Sequence, residues 1–230
     1  MSNEDWIKAG IDLLQAIISG VFIGLVIYWL DERRAKRARR LSDYRIASNW
    51  NTTESNVSLR YFDLTKANLS GHKFIKANME GVILFNAVLW ATNFSEANLR
   101  RADFRKAMLV GVRFKKATVY DADFSWATIT KTGDSDQKDL LDFSDAIFKG
   151  AKFIGTELSG IAMVEANLRN ADFSKAIVRD CDFTGADLTG SNWRKAKRVE
   201  NCVWKSVKID SAENFLPYVW EEIQSQNASE

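Results

Sequence analysis

Side-chain chemistry needs nucleophiles, bases or metal ligands at workable spacing, and this 230-residue chain offers few of them. It holds one histidine, His72, and two cysteines, Cys181 and Cys202, 21 positions apart. No CxxC and no second histidine accompany them, so the spacing fits no metal site, and two cysteines are too sparse for a disulfide framework. Reduced thiols are the expectation. Asp134, Asp136, Asp139 and Asp142 cluster in TGDSDQKDLLD but lack the ligand spacing and central glycine of a calcium loop. A solvated acidic loop is the better reading. One histidine leaves no Ser-His-Asp arrangement, and no glycine-rich loop is present to cradle a phosphate. Neither an enzyme, a cofactor, a metal nor a small-molecule substrate is expected.

The elements that would carry any other function begin with an uncharged apolar run, Leu13–Leu30. Its 18 residues would make about 27 Å of helix, close to the hydrocarbon thickness of a bilayer. Tyr28 and Trp29 stand at its end, where amphipathic rings favour the interface. Six cations follow directly: Arg33, Arg34, Lys36, Arg37, Arg39 and Arg40. This asymmetry predicts a single-pass protein of a bacterial inner membrane, with the N-terminal tail (1–12) outside and everything after the span (13–30) cytoplasmic. A cleaved signal peptide would need its positive charges before the run. Ala16, Gly20 and Gly24 recur every four residues, a small-residue stripe that would let two helices pack closely in the membrane. Residues 31–56 read as a basic juxtamembrane helix running into a linker from Asn49 to Asn56.

From residue 57 an apolar residue recurs every five positions: Leu59, Leu64, Leu69, Phe74, Met79, Leu84, Leu89 and on to Ile129. Two positions earlier stands most often alanine, as at Ala67, Ala77, Ala87 and Ala97, and one position earlier asparagine or aspartate. The series breaks at 132–140 and resumes from Phe143 to Trp193. Neither the 3.6-residue helix nor the two-residue strand produces a period of five. The motif resembles the A(D/N)LXX unit of the pentapeptide-repeat family, over 57–195. That resemblance implies an all-β solenoid, a right-handed quadrilateral β-helix, in which five residues form one side of a square coil. The central residue and the small one before it would point inward, and residues 20 apart would stack.

On those columns Cys181 takes an inward position, while Cys202 falls one place off and faces out, so the two should not bond. His72 takes an inward position near the N-terminal end, as a structural residue. Uncapped ends would expose strand edges. At the C-terminus (196–230), Asp210-Ser-Ala-Glu213 looks like a capping box opening a short helix whose apolar face is Phe215, Leu216, Val219, Trp220 and Ile223. Pro217 would shift the helix start to itself.

Outward positions bear on function. Val88, Trp90, Met108 and Val110 should stack on one face, with Ile83 and Phe85 on the next, an apolar patch of the kind that marks an interface unless the linker covers it. Lys73, Lys76, Arg113, Lys115 and Lys116 form a basic stripe suited to anionic lipid or an acidic partner, or simply a solvated face. The leading expectation is a membrane-tethered protein-interaction scaffold that docks a partner protein or a second copy. The alternative, a DNA mimic that binds a topoisomerase as the quinolone-resistance branch of the family does, calls for an acidic surface. Residues 57–210 instead carry 24 basic and 19 acidic side chains, and no nucleic-acid partner is expected.

Overall fold

The computed structural model describes residues 3–50, 58–131 and 141–228; on its first helix, side chains are described at Lys8, Gln15 and from Val21 onward. Two compact units emerge, Met1–Ser42 and Asp43–Glu230. The first unit consists of most of one helix, α1 (Asn3–Ser48). The predicted tail is thus helical from Asn3, and the basic segment continues the same helix as far as Ser48. The predicted transmembrane span gains no support: among the described residues no helix is long and apolar enough to cross a membrane. The described side chains of the apolar run, Val21 to Leu30, amount to about 15 Å of helix, half the hydrocarbon core. These residues are exposed all round, Phe22 at 66% and Leu25 at 62%.

The second unit is a β-solenoid whose wall repeats every five residues. Each central residue donates to the coil below, as from Leu69 N to Val88 O at 2.9 Å, and Val88 N returns to Ala67 O at 2.9 Å. One residue of each coil thereby supplies both partners for its neighbour. The central Leu and Phe residues and the alanines before them are buried throughout. Where a hydroxyl replaces alanine it finds a carbonyl: Thr92 Oγ1 donates to Leu69 O and Thr156 Oγ1 to Phe124 O. Asparagine or aspartate just before the centre accepts from the N–H two residues on, as Asp123 does from Ser125 and Asp182 from Thr184, and so holds the corner. The second corner residue adopts a left-handed backbone, with φ 60° at Lys66 and 63° at Trp126.

One face is regular enough to form strands: β1 (Met108–Val110), β2 (Thr128–Thr130), β3 (Glu157–Ser159), β4 (Ile177–Arg179) and β5 (Arg198–Glu200), a parallel sheet in chain order. Ile129 pairs with Leu158, 29 positions on instead of 20, so the break at 132–140 adds nine residues to a coil without disturbing the stack. That segment lies outside the described residues, as does 51–57, the body of the predicted linker. A second, smaller irregularity follows. Lys197 N and Arg198 N both donate to Ala176 O, at 2.8 and 3.3 Å, and Val178 pairs with Val199, 21 positions on. This is a one-residue bulge.

The bulge corrects the expectation for Cys202. The extra residue returns it to the inward column beneath Cys181, and the two are 3% and 1% exposed. Both thiols are free, donating to Glu200 O and Arg179 O. The adjacent Cys202, together with burial, pushes the Cys181 thiol well up. Neither thiol should react with Ellman's reagent in the native protein at pH 7, and guanidinium should release two per chain; a native protein that titrates one would contradict this packing. His72 is half-buried, its ring stacked 5.9 Å from Phe74 and its Nδ1 3.1 Å from Ser70 O.

Both ends of the solenoid are closed by side chains that stand in for an absent coil. At the first coil Asp43 Oδ2 accepts from Asp63 N at 2.9 Å, and Tyr44 Oη donates to Asn68 O at 3.3 Å. Asp43 and Ala47, near the end of α1, are buried there. At the last coil Gln226 Oε1 accepts from Trp204 N at 2.8 Å while its Nε2 donates to Cys202 O at 3.1 Å. One coil earlier Val203 makes the same pair of bonds with Phe183 N and Cys181 O. The Gln226 amide therefore imitates a peptide unit. Asn227 does likewise with Ser206 N and Trp204 O. Both amides belong to α2 (Pro217–Asn227), which starts at Pro217 as the sequence suggested and buries Val219 and Ile223. The capping box is different from expectation: Ser211 caps a 3-10 turn at Ala212–Asn214, and Asp210 instead accepts from Gly190 N.

Acid should loosen the stack. Burial raises the Asp187 carboxyl, but hydrogen bonds from Thr189 and Arg169 outweigh it and hold the group below its ordinary 3.8. Asp142 is lowered in the same way by Ser144 and Lys115. A depressed folded pKa contributes stability above the unfolded value that disappears as pH falls through the folded one. The melting temperature should therefore drop below about pH 4, and Asp187→Asn should make that drop shallower; an unchanged profile would exclude Asp187 as a contributor.

Candidate functional site

The predicted apolar patch assembles in part. On the strand-bearing face Val88 bridges to Met108, and Trp90 Nε1 donates to Met108 Sδ at 3.1 Å. Trp90 is 53% and Met108 42% exposed, with Val88 and Val110 half-buried among them. Ile83 lies on the preceding face, bridged between Asp63 and Asp103. Phe85 is turned to the corner, where the Arg105 and Lys106 cations stand 5.7 and 5.8 Å from its ring centre. Four of the six residues thus share one surface, and Phe85 engages cations.

The basic stripe is broken up by carboxylates from neighbouring coils. Lys76 pairs with Glu96 at 3.6 Å and Lys115 with Asp142 at 3.1 Å. Lys73 and Arg113 bridge the two sides of Asn93 in one column, while Lys116 sits at the corner beside Lys115. Asp134, Asp136 and Asp139 lie outside the described residues. Among the described residues no cluster of acids, histidine or cysteines could hold a metal ion. On α1 the basic residues Arg33, Arg34, Lys36, Arg37, Arg39 and Arg40 are all exposed. Lys36 reaches Glu32 at 2.6 Å, Arg34 reaches Asp31 at 3.4 Å, and Arg33 lies 3.6 Å over the Trp29 ring. Of the small-residue stripe, a side chain added at Gly24 would meet nothing within 4 Å; Ala16 and Gly20 fall among the side chains outside the description.

A second surface escaped the sequence reading. Trp126, 56% exposed, occupies a corner and lies over Gly155 of the next coil. A Cβ at Gly155 would come within 2.6 Å of two ring carbons, and its φ of 65° also suits glycine. Beneath the ring opens a groove of about 480 Å³ lined by Trp126, Gly155, Glu157, Lys175, Ile177, Lys195 and Lys197. The only sequence signal was columnar: Trp126, Gly155, Lys175 and Lys195 are corner residues stacked coil on coil, visible once the nine-residue insertion is allowed for.

The family model for Pentapeptide repeats matches in eight copies, over residues 55–90, 83–119, 97–132, 151–190 and 166–197, together more than half of the chain. No curated protein matches significantly. Among solved structures, HetL, a pentapeptide repeat protein involved in heterocyst differentiation regulation from the cyanobacterium Nostoc sp. strain PCC 7120, is 21% identical over 67% of this chain and 81% of its own, with a TM-score of 0.23. QnrB1, a plasmid-mediated fluoroquinolone resistance protein, is 16% identical over 73% and 85%, with a TM-score of 0.33. A pentapeptide repeat protein from the Arabidopsis thaliana thylakoid lumen is 26% identical over 55% and 68%, with a TM-score of 0.24.

Proposed function

We propose, from the premise that the chain belongs to the pentapeptide-repeat family, that it is a non-enzymatic interaction module which docks a protein and is held at a membrane by α1. The exposed group Val88, Trp90, Met108 and Val110 carries the reading. Val88 and Met108 occupy the position where asparagine or aspartate elsewhere pins the corner, so two stabilising turn acceptors are given up for apolar surface. Thr128, Ile177 and Arg198 stand at the same position further down this face, so what distinguishes Val88 and Met108 is their grouping with the exposed Trp90. Attachment by α1 rests on the apolar residues Val21 to Leu30, exposed all round, followed by six cations.

Capture of a partner from native membranes tests the docking half. Trp90→Glu with Val110→Glu should abolish capture while leaving the circular dichroism spectrum unchanged. Capture that survives the double substitution would remove the apolar face from the account. Flotation with vesicles containing anionic lipid tests the attachment half: the chain should rise with the vesicles, and a chain that stays at the bottom of the gradient would refute attachment by α1.

A further inference from the structure

The four corners of the solenoid differ in charge. Along the corner that follows Leu64, Leu84, Phe104, Phe124, Phe153, Phe173 and Trp193 there are six cations and no acid. Each of the other three carries carboxylates, for example Glu80 and Asp121, Asp180 and Glu200, or Glu96 and Asp145. In the upper part of the cationic corner two of the three charges are already engaged, Arg105 by Asp103 at 2.7 Å and Lys106 by the Phe85 ring. The lower part is different. Lys175 and Lys195, with Lys197 of the adjoining bulge, form no ion pair among the described residues, and all three are exposed around the groove beside Trp126, where Glu157 is the one acid.

We propose that this groove binds a nucleotide, either free or as a unit of a single strand, with its base against Trp126 and its phosphate among Lys175, Lys195 and Lys197. Three ammonium groups in a concave site attract a phosphate as point charges. Charge alone would serve any anion; the aromatic ring narrows the choice. Trp126 is seated on a glycine that leaves no room for a side chain, and it stays more than half exposed in spite of its size. A large ring held in that way is a stacking platform, tolerant of which base it receives. The apolar side chain of Ile177 extends the surface beyond it along the open groove.

Equilibrium dialysis of the full chain against adenosine monophosphate, adenosine, inorganic phosphate and an eight-residue deoxythymidine strand tests the assignment. The monophosphate should bind more tightly than adenosine or phosphate alone. Trp126→Leu should weaken it about tenfold, and Lys195→Gln with Lys197→Gln should weaken it and flatten its salt dependence. Both sites are exposed, and an unchanged melting temperature will show that the variants fold. Tighter binding of the strand than of the monophosphate identifies a polymer as the source of the nucleotide; the reverse identifies a free one. Equal affinity for phosphate and monophosphate, or binding indifferent to Trp126→Leu, overturns the proposal.

Discussion

Phe124→Ala should cost about 3–5 kcal/mol of folding stability, the range for emptying a fully buried aromatic site. Phe124 stacks on Phe104 at 4.6 Å and on Phe153 at 5.1 Å, with the ring planes within 9° of parallel, and Phe114 and Phe148 meet it edge-on or tilted at 6.0 Å. The column continues through Phe173 to Trp193, whose rings approach to 3.8 Å. Backbone hydrogen bonds fix the spacing between coils, so the walls cannot close on the void as loosely packed helices would. The coil above and the coil below each lose a ring face. Chemical denaturation should show the loss as a lower midpoint, and a cost under about 1 kcal/mol would mean that the stack relaxes far more than its bonding allows.

Removal of α2 should be as damaging in another way. Without residues 217–230 the last coil loses the acceptors for Trp204 N and Ser206 N and the donors for Cys202 O and Trp204 O. The packing of Val219 and Ile223 goes with them. An open strand edge above an apolar interior templates association, so the truncated chain should elute in the void volume during size exclusion. Gln226→Ala with Asn227→Ala keeps the helix and removes only the peptide mimicry, and should cost about 2–4 kcal/mol from the unmet backbone groups. A truncated chain that elutes like the intact one would show that the last coil needs no cover.

The interior was legible because the five-residue period and the backbone ladder express one geometry. Leu69, Leu89, Leu109 and Ile129 form one column by spacing alone, and all are buried. Legibility failed where the period slipped. No residue type announces the bulge at 195–198, and strict 20-residue counting puts Cys202 on the outside. The nine-residue insertion hid the alignment of Trp126 with Gly155 and thus the groove. The basic stripe failed for a third reason: the columns that hold Lys76 and Arg113 place Glu96 and Asp142 one coil further on, where they meet Lys76 and Lys115. In α1 the apolar run and the cations after it read as a membrane span, for which the described residues give no support.

Vertical stacking also determines which substitutions are felt together. A change at Phe114 alters the packing of Phe94, 20 positions before it, and of Phe143, 29 after it, while a change at Phe183 is transmitted to Trp204, 21 after it. Evolutionary covariation in this lineage should accordingly concentrate at a separation of 20, giving way to 29 only across the insertion and to 21 only across the bulge. A homologue that has lost the nine-residue insertion should show its middle couplings move back to 20, with no compensating change in either neighbouring coil.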